Sequence, residues 1–195
     1  HHSLCTDLGC SAMSLTYTLK LNSSANTAWP LSDDGRTMIF PSLRLIGVYE
    51  DPPPLGEENN LIWALTRATA TQVIYEENQA DVNTRVETPL FWAMVNWAAD
   101  RADRWPDLRW LPEVKAEFEK QPFPLEAAWK GAAGNDDRTF RLAYAIVRFI
   151  DQEYGAAAME KLLKQMATAQ TFADAIQKSL GVPFAEFEQK WQAWL

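Results

Sequence analysis

The chain has 195 residues, 26 acidic against 18 basic side chains, a formal charge of −8 and 47% apolar residues. That length fits one domain with at most a small appendage, and the apolar content supports a core, which excludes disorder for most of the chain. The acidic balance argues against nucleic acid as a partner, because sequence-independent binding needs a basic surface, and no apolar run reaches the ~18–20 residues of a membrane span.

The two histidines, His1 and His2, stand at the extreme N-terminus. We read them as the remnant of a purification tag and leave them out of the fold. Without them, Ser-His-Asp, Cys-His and His-based zinc sites each lack a required member. Cys5 and Cys10 follow in Cys-Thr-Asp-Leu-Gly-Cys. This spacing suits a local disulfide loop in an oxidising compartment; the alternative is two surface thiols, and one such pair cannot make a four-ligand zinc site. Residues 1–12 are therefore expected to hold the tag remnant and the disulfide loop, and 13–195 a single domain. The chain starts without Met or a signal peptide. We expect it to begin inside a longer protein, with a signal, lipid anchor or membrane helix upstream. Asn22-Ser23-Ser24 matches a glycosylation acceptor, a triplet common by chance.

Residues 13–50 read as a β-region. From Ser14 to Leu21, Leu15, Tyr17 and Leu19 alternate with Thr16, Thr18 and Lys20, the period of a half-buried strand. Ser32-Asp33-Asp34-Gly35-Arg36 is turn chemistry, and Thr37-Met38-Ile39-Phe40 follows as a strand. A hairpin spanning Trp29 to Tyr49 is expected. Asp51-Pro52-Pro53-Pro54-Leu55-Gly56 then breaks regular structure.

Residues 57–195 read as helical. Asn59 to Glu77 is largely apolar apart from Arg67 and is expected to be central. Thr88-Pro89 opens the next helix, with Thr as N-cap and Pro in the first turn. Leu111-Pro112-Glu113 opens a short helix to about Lys120, and Leu125 to Lys130 is a turn or short helix. Asp136 to Tyr154 is a helix closed by Gly155, and Ala157 to Ala169 is the next. Thr171-Phe172-Ala173-Asp174 is a capping-box pattern with Asp in place of Glu, opening a helix that ends at Gly181. Pro183 starts the last helix, which carries Phe184, Phe187, Trp191 and Trp194.

The C-terminal run is Ala143-Tyr144-Ala145-Ile146-Val147-Arg148-Phe149-Ile150, Tyr154-Gly155, Leu162-Leu163, Phe172-Ala173-Asp174-Ala175-Ile176, Leu180-Gly181, Phe184-Ala185-Glu186-Phe187-Glu188 and Trp191-Gln192-Ala193-Trp194-Leu195. In order and spacing it resembles the helical C-terminal half of the peptidase MA-like domains, a gluzincin-type group of zinc metallopeptidases. The likeness spans roughly Thr37 to Leu195. It implies an α+β, mainly α fold, with a short N-terminal β-region packed on a gluzincin-like body of about six helices.

The group's signature is HExxH on a central helix, with a third ligand, a Glu, on a downstream helix that opens P-x-W-x-x-E. Two His at i and i+4 share a helix face and bind zinc, while the Glu between them activates the metal-bound water. The best match here is Trp63-Ala64-Leu65-Thr66-Arg67. Trp63 and Arg67 stand at the two His positions and Ala64 at the base. On the next helix, Pro89-Leu90-Phe91-Trp92-Ala93-Met94-Val95-Asn96 resembles this opening with two residues between Pro and Trp, and the third ligand falls at Val95, or at Asn96 if the register slips by one. Trp, Ala and Val cannot hold zinc, and Arg puts a positive charge where the ion would sit. The resemblance thus implies a degenerate, metal-free member without cofactor.

Arg67 either attracts a carboxylate into the vacated position or leaves the helix for the surface or an acidic partner. Trp63, Trp92 and Trp97 either line a cleft that stacks peptide or sugar, or fill the core; Trp105 and Trp110 are the better exposed candidates. Tyr144, at the group's Ala-Tyr position, either faces the old cleft or sits satisfied in the core. Glu57-Glu58, Glu76-Glu77 and Asp136-Asp137 are acid pairs of the kind that run glycoside hydrolysis without His, and equally suit solvated positions. No glycine-rich phosphate loop is present.

These readings converge on a non-catalytic, extracytoplasmic binding or scaffolding module. Its binding residues are Trp63, Arg67, Trp92 and Tyr144, and its ligand is a peptide, glycan or protein. The alternatives are a glycosidase-like hydrolase with two acids about 5–10 Å apart, and a structural ectodomain of a larger membrane-anchored protein.

Overall fold

The computed structural model describes residues 8, 18–21, 37–40, 65, 66, 68–71, 73, 88–103, 111–130, 137–166 and 168–195. These residues are mainly helical. Two four-residue strands, β1 (Thr18–Leu21) and β2 (Thr37–Phe40), pair in parallel with Thr18 opposite Thr37 and Leu21 opposite Phe40. Thr18 and Lys20 are exposed, the polar side of the alternation. The expected hairpin from Trp29 to Tyr49 lies outside the described residues except for β2. The pairing seen for β2 is with the earlier strand, and a parallel pair needs a crossover rather than a tight turn.

The body is built of α1 (Pro89–Asp103), α2 (Leu111–Lys120), α3 (Glu126–Lys130), α4 (Asp137–Tyr154), α5 (Ala156–Gln165), α6 (Phe172–Leu180) and α7 (Phe184–Trp194). Helical residues at 65, 66, 68–71 and 73 precede them. Thr66, Ala68, Thr69 and Ala70 are buried, as a central helix requires. Among the described residues this is the mainly helical body that the sequence leads one to expect.

Local chemistry sets the helix limits. The Thr88 hydroxyl accepts from the Phe91 amide at 3.2 Å, so Thr88 caps α1 with Pro89 inside the first turn. The Thr171 hydroxyl accepts from the Asp174 amide at 3.1 Å and caps α6, while Gly181 closes α6 in the left-handed region at φ 72°. Gly155, at φ 78°, is the single residue between α4 and α5. α5 stops at Gln165, short of the expected Ala169. The Met166 and Thr168 amides donate three residues back, to the Leu163 and Gln165 carbonyls, the tighter pattern in which helices end. Thr171→Ala is expected to lower stability by about 1 kcal/mol, and Thr171→Ser to restore it. Urea denaturation checks this, and equal midpoints for wild type and Thr171→Ala would contradict it.

The core sits between α1 and α4, the most extensive helix pair. From Leu90 to Ala99 every residue of α1 is buried except Trp92, and from Leu142 to Ile150 every residue of α4 is buried. Helices apolar on all sides belong at the centre of a body; α3 and α5 pack on both of these two, and α2 and α7 pack on α4. Glu126 ties α3 to α6, both carboxylate oxygens accepting from the Phe172 amide at 3.1 Å. An aromatic layer joins α4 to α6 and α7. Phe149 meets Phe187 at 5.4 Å and Trp194 at 5.7 Å, and Phe172 meets Phe187 at 6.0 Å. Among the described residues no helix is long and apolar enough to cross a membrane.

Candidate binding site

Polar side chains enter this apolar pair at a few places, and each needs a partner to be tolerated there. On α1 they are Asn96, Asp100 and Arg101. On α4 they are Tyr144, Arg148 and Asp151. Asn96 bonds its own helix, its amide donating to the Trp92 carbonyl at 2.8 Å. The Tyr144 hydroxyl donates to Asp100 Oδ2 across the helix pair. One residue on from Asp100, Arg101 lies over the Trp97 ring at 5.2 Å and pairs with Asp151 at 3.6 Å. Arg148, three residues before Asp151, reaches the same carboxylate at 3.7 Å. The result is a polar seam in which two guanidinium groups meet the Asp151 carboxylate.

The seam is graded in depth. The Arg101 side chain is 40% exposed, that of Asp151 13% and that of Arg148 11%. Nε of Arg148 and Nε1 of Trp97 are buried without a hydrogen-bond partner. An unpaired buried donor is costly, more so on a charged group. Guanidinium groups also present planar forks that suit carboxylates.

Of the residues singled out in the sequence, Tyr144 is wholly buried with its hydroxyl satisfied, which is the core alternative rather than the cleft one. Trp92 is half-buried and stands against Phe91 edge-on at 5.4 Å. Eight residues separate Trp92 from Asp100, the partner of Tyr144, or about 12 Å along α1. Trp97 is wholly buried. Val95 is wholly buried, and Asn96 is turned onto its own helix. Trp63, Ala64, Arg67, Trp105, Trp110, the pairs Glu57-Glu58 and Glu76-Glu77, Asp136, and Cys5 with Cys10 lie outside the described residues. Leu65 packs at the edge of the core and Thr66 is wholly buried. Among the described residues no group of three or more His, Cys, Asp or Glu side chains is placed to hold a metal ion.

In comparisons with known proteins, no family model, no curated protein and no solved structure matches the chain.

The seam residues Asp100, Arg101, Arg148 and Asp151 escaped the sequence reading. One signal was available for Arg148. It is the sole charge between Leu142 and Ile150, a run in which every position is buried, and Asp151 follows at helical spacing. Asp100 and Arg101 carry no such mark, because they stand at the polar end of their helix.

Proposed function

We propose that the chain is a non-catalytic, metal-free, peptidase MA-like domain that serves as an extracytoplasmic binding or scaffolding module. The observation that carries this reading is the state of α1 at the third-ligand position. Val95 is packed in the core, and the Asn96 amide is committed to the Trp92 carbonyl. Neither presents a carboxylate, and the two His positions of the resemblance hold Trp63 and Arg67. The polar groups that remain between α1 and α4 are guanidinium, carboxylate and phenol, a set suited to recognition rather than to metal-activated hydrolysis.

The test is metal stoichiometry by mass spectrometry and zinc-dependent peptidase activity, both on protein lacking His1 and His2. The expected result is no stoichiometric metal and no activity above the zinc-only control. About one equivalent of metal together with zinc-dependent cleavage would overturn the proposal.

A further inference from the structure

We propose that α2 is a lid, latched onto α4 by Arg138 and Arg141, that opens on its own while the rest of the body stays folded. This goes beyond the binding-module reading and does not depend on it.

The latch grips α2 at its two ends. At the start, Glu113 accepts from Arg141 Nη1 at 2.9 Å. Just past the end, the Gln121 carbonyl accepts from Arg138 Nη2 at 2.6 Å, and the same guanidinium lies over the Phe123 ring at 5.8 Å. Arg138 and Arg141 are three residues apart at the beginning of α4, so one turn of α4 reaches both ends of α2. Both bonds are exposed, and the Glu113 side chain is 65% exposed. Exposed ion pairs are weak, and salt weakens them further.

Between its ends α2 is lightly held. Val114 is its fully buried residue, and Leu111 and Phe118 pack at the edge of the core. α1 and α4, by contrast, are buried over whole turns. A ten-residue helix is marginal without packing. Glu113 and Glu117 stand four residues apart, a like-charge pair that weakens the helix again. Closure also strands polar atoms. Oε2 of Glu117 is buried without a hydrogen-bond partner, and so is Nε1 of Trp191, whose ring meets Phe118 of α2 edge-on at 5.0 Å. Opening returns the Glu117 carboxylate to water and uncovers the Trp191 indole where Phe118 meets it. That offsets part of the cost of exposing Val114 and Phe118. The moving part ends at Pro122 and Pro124, where Phe123 and Leu125 are buried and stay with the body.

The experiment is hydrogen–deuterium exchange of the full 195-residue chain, read by mass spectrometry on peptides from α2 and α4 as urea is raised below the unfolding transition. The amides of α2 are expected to exchange together, at least about tenfold faster than those between Leu142 and Ile150, with little dependence on urea, as local opening requires. Glu113→Gln, or raising NaCl from ~0.05 to ~0.5 M, is expected to speed α2 exchange about two- to fivefold, the loss of one exposed ion pair. Because Glu113 is exposed, the variant folds. Phe149→Leu supplies the converse. It lowers the stability of the whole body without touching α2, so it should speed exchange in α4 and leave α2 unchanged.

Exchange of α2 at the rate of α4, with the same steep dependence on urea, overturns the proposal, because α2 then opens only when the whole chain unfolds. So does equal acceleration of α2 and α4 in Phe149→Leu. Exchange of α2 that responds neither to Glu113→Gln nor to salt removes the latch and overturns it as well. None of these readouts uses metal or a ligand, so the lid and the binding-module reading fail separately.

Discussion

Phe149→Ala is expected to lower the stability of the chain by about 3–5 kcal/mol, the range for truncating a buried aromatic side chain. Phe149 is 1% exposed and contacts Tyr154 at 6.1 Å, Phe187 at 5.4 Å and Trp194 at 5.7 Å. Its ring joins the end of α4 to α7. Removing it loses the transfer energy of the ring and leaves a cavity whose walls are rigid rings, which relax poorly. At this chain length the loss corresponds to a fall of about 6–20 °C in Tm. Phe149→Leu keeps much of the volume and should cost distinctly less. Urea and thermal denaturation followed by circular dichroism measure both variants. A loss below about 1 kcal/mol for the alanine would show that the aromatic layer does not close the body as described.

The second large effect belongs to the Tyr144–Asp100 contact. A hydrogen bond to a charged group contributes about 1.5–3 kcal/mol, and a stranded buried donor costs about 1–3 kcal/mol. Tyr144 is wholly buried and Asp100 half-buried. Tyr144→Phe removes the donor and Asp100→Ala the charged acceptor of this bond, and each should cost about 1.5–3 kcal/mol. The double variant should cost less than the two singles together by about 1–2 kcal/mol, because the contact is lost once. Denaturant midpoints of the four proteins measure this coupling. Strict additivity would mean that the hydroxyl and the carboxylate stabilise the fold independently.

Much of the helical body was legible because its limits are written in local chemistry. Thr88-Pro89, Thr171 with Asp174, Gly155 and Gly181 each act within a few residues of themselves, and each marks a helix end in the structure. Pairing was not legible in the same way. The β1–β2 register joins residues far apart in sequence, and nothing in the residues 37–40 says which neighbour they take. The end of α5 was misread because apolar periodicity continues through Met166 and Ala169, both buried, while the backbone has already turned at Gln165.

The seam was the least legible feature. Aromatic residues drew the sequence reading toward Trp92 and Tyr144, and the structure puts Tyr144 in the core with Asp100 as its partner. Arg101 and Arg148 meet at Asp151, on two helices separated by α2 and α3 in the chain. A lone arginine in an apolar helix shows that something is paired there. It does not show with what, since the partner's identity depends on how α1 and α4 come together.

The all-round burial of α1 also bears on synthesis. α4, α5, α6 and α7 each pack on the neighbour that precedes or follows them, so they can assemble as they emerge. The principal partner of α1 is α4, and α2 and α3 lie between the two in the chain. During translation α1 therefore leaves the ribosome with apolar residues on every side, before the helix that covers it exists. For that interval it is a candidate for holding by a chaperone, and synonymous changes that slow decoding between Asp103 and Asp137 should lengthen the exposure and increase aggregation without altering the finished fold.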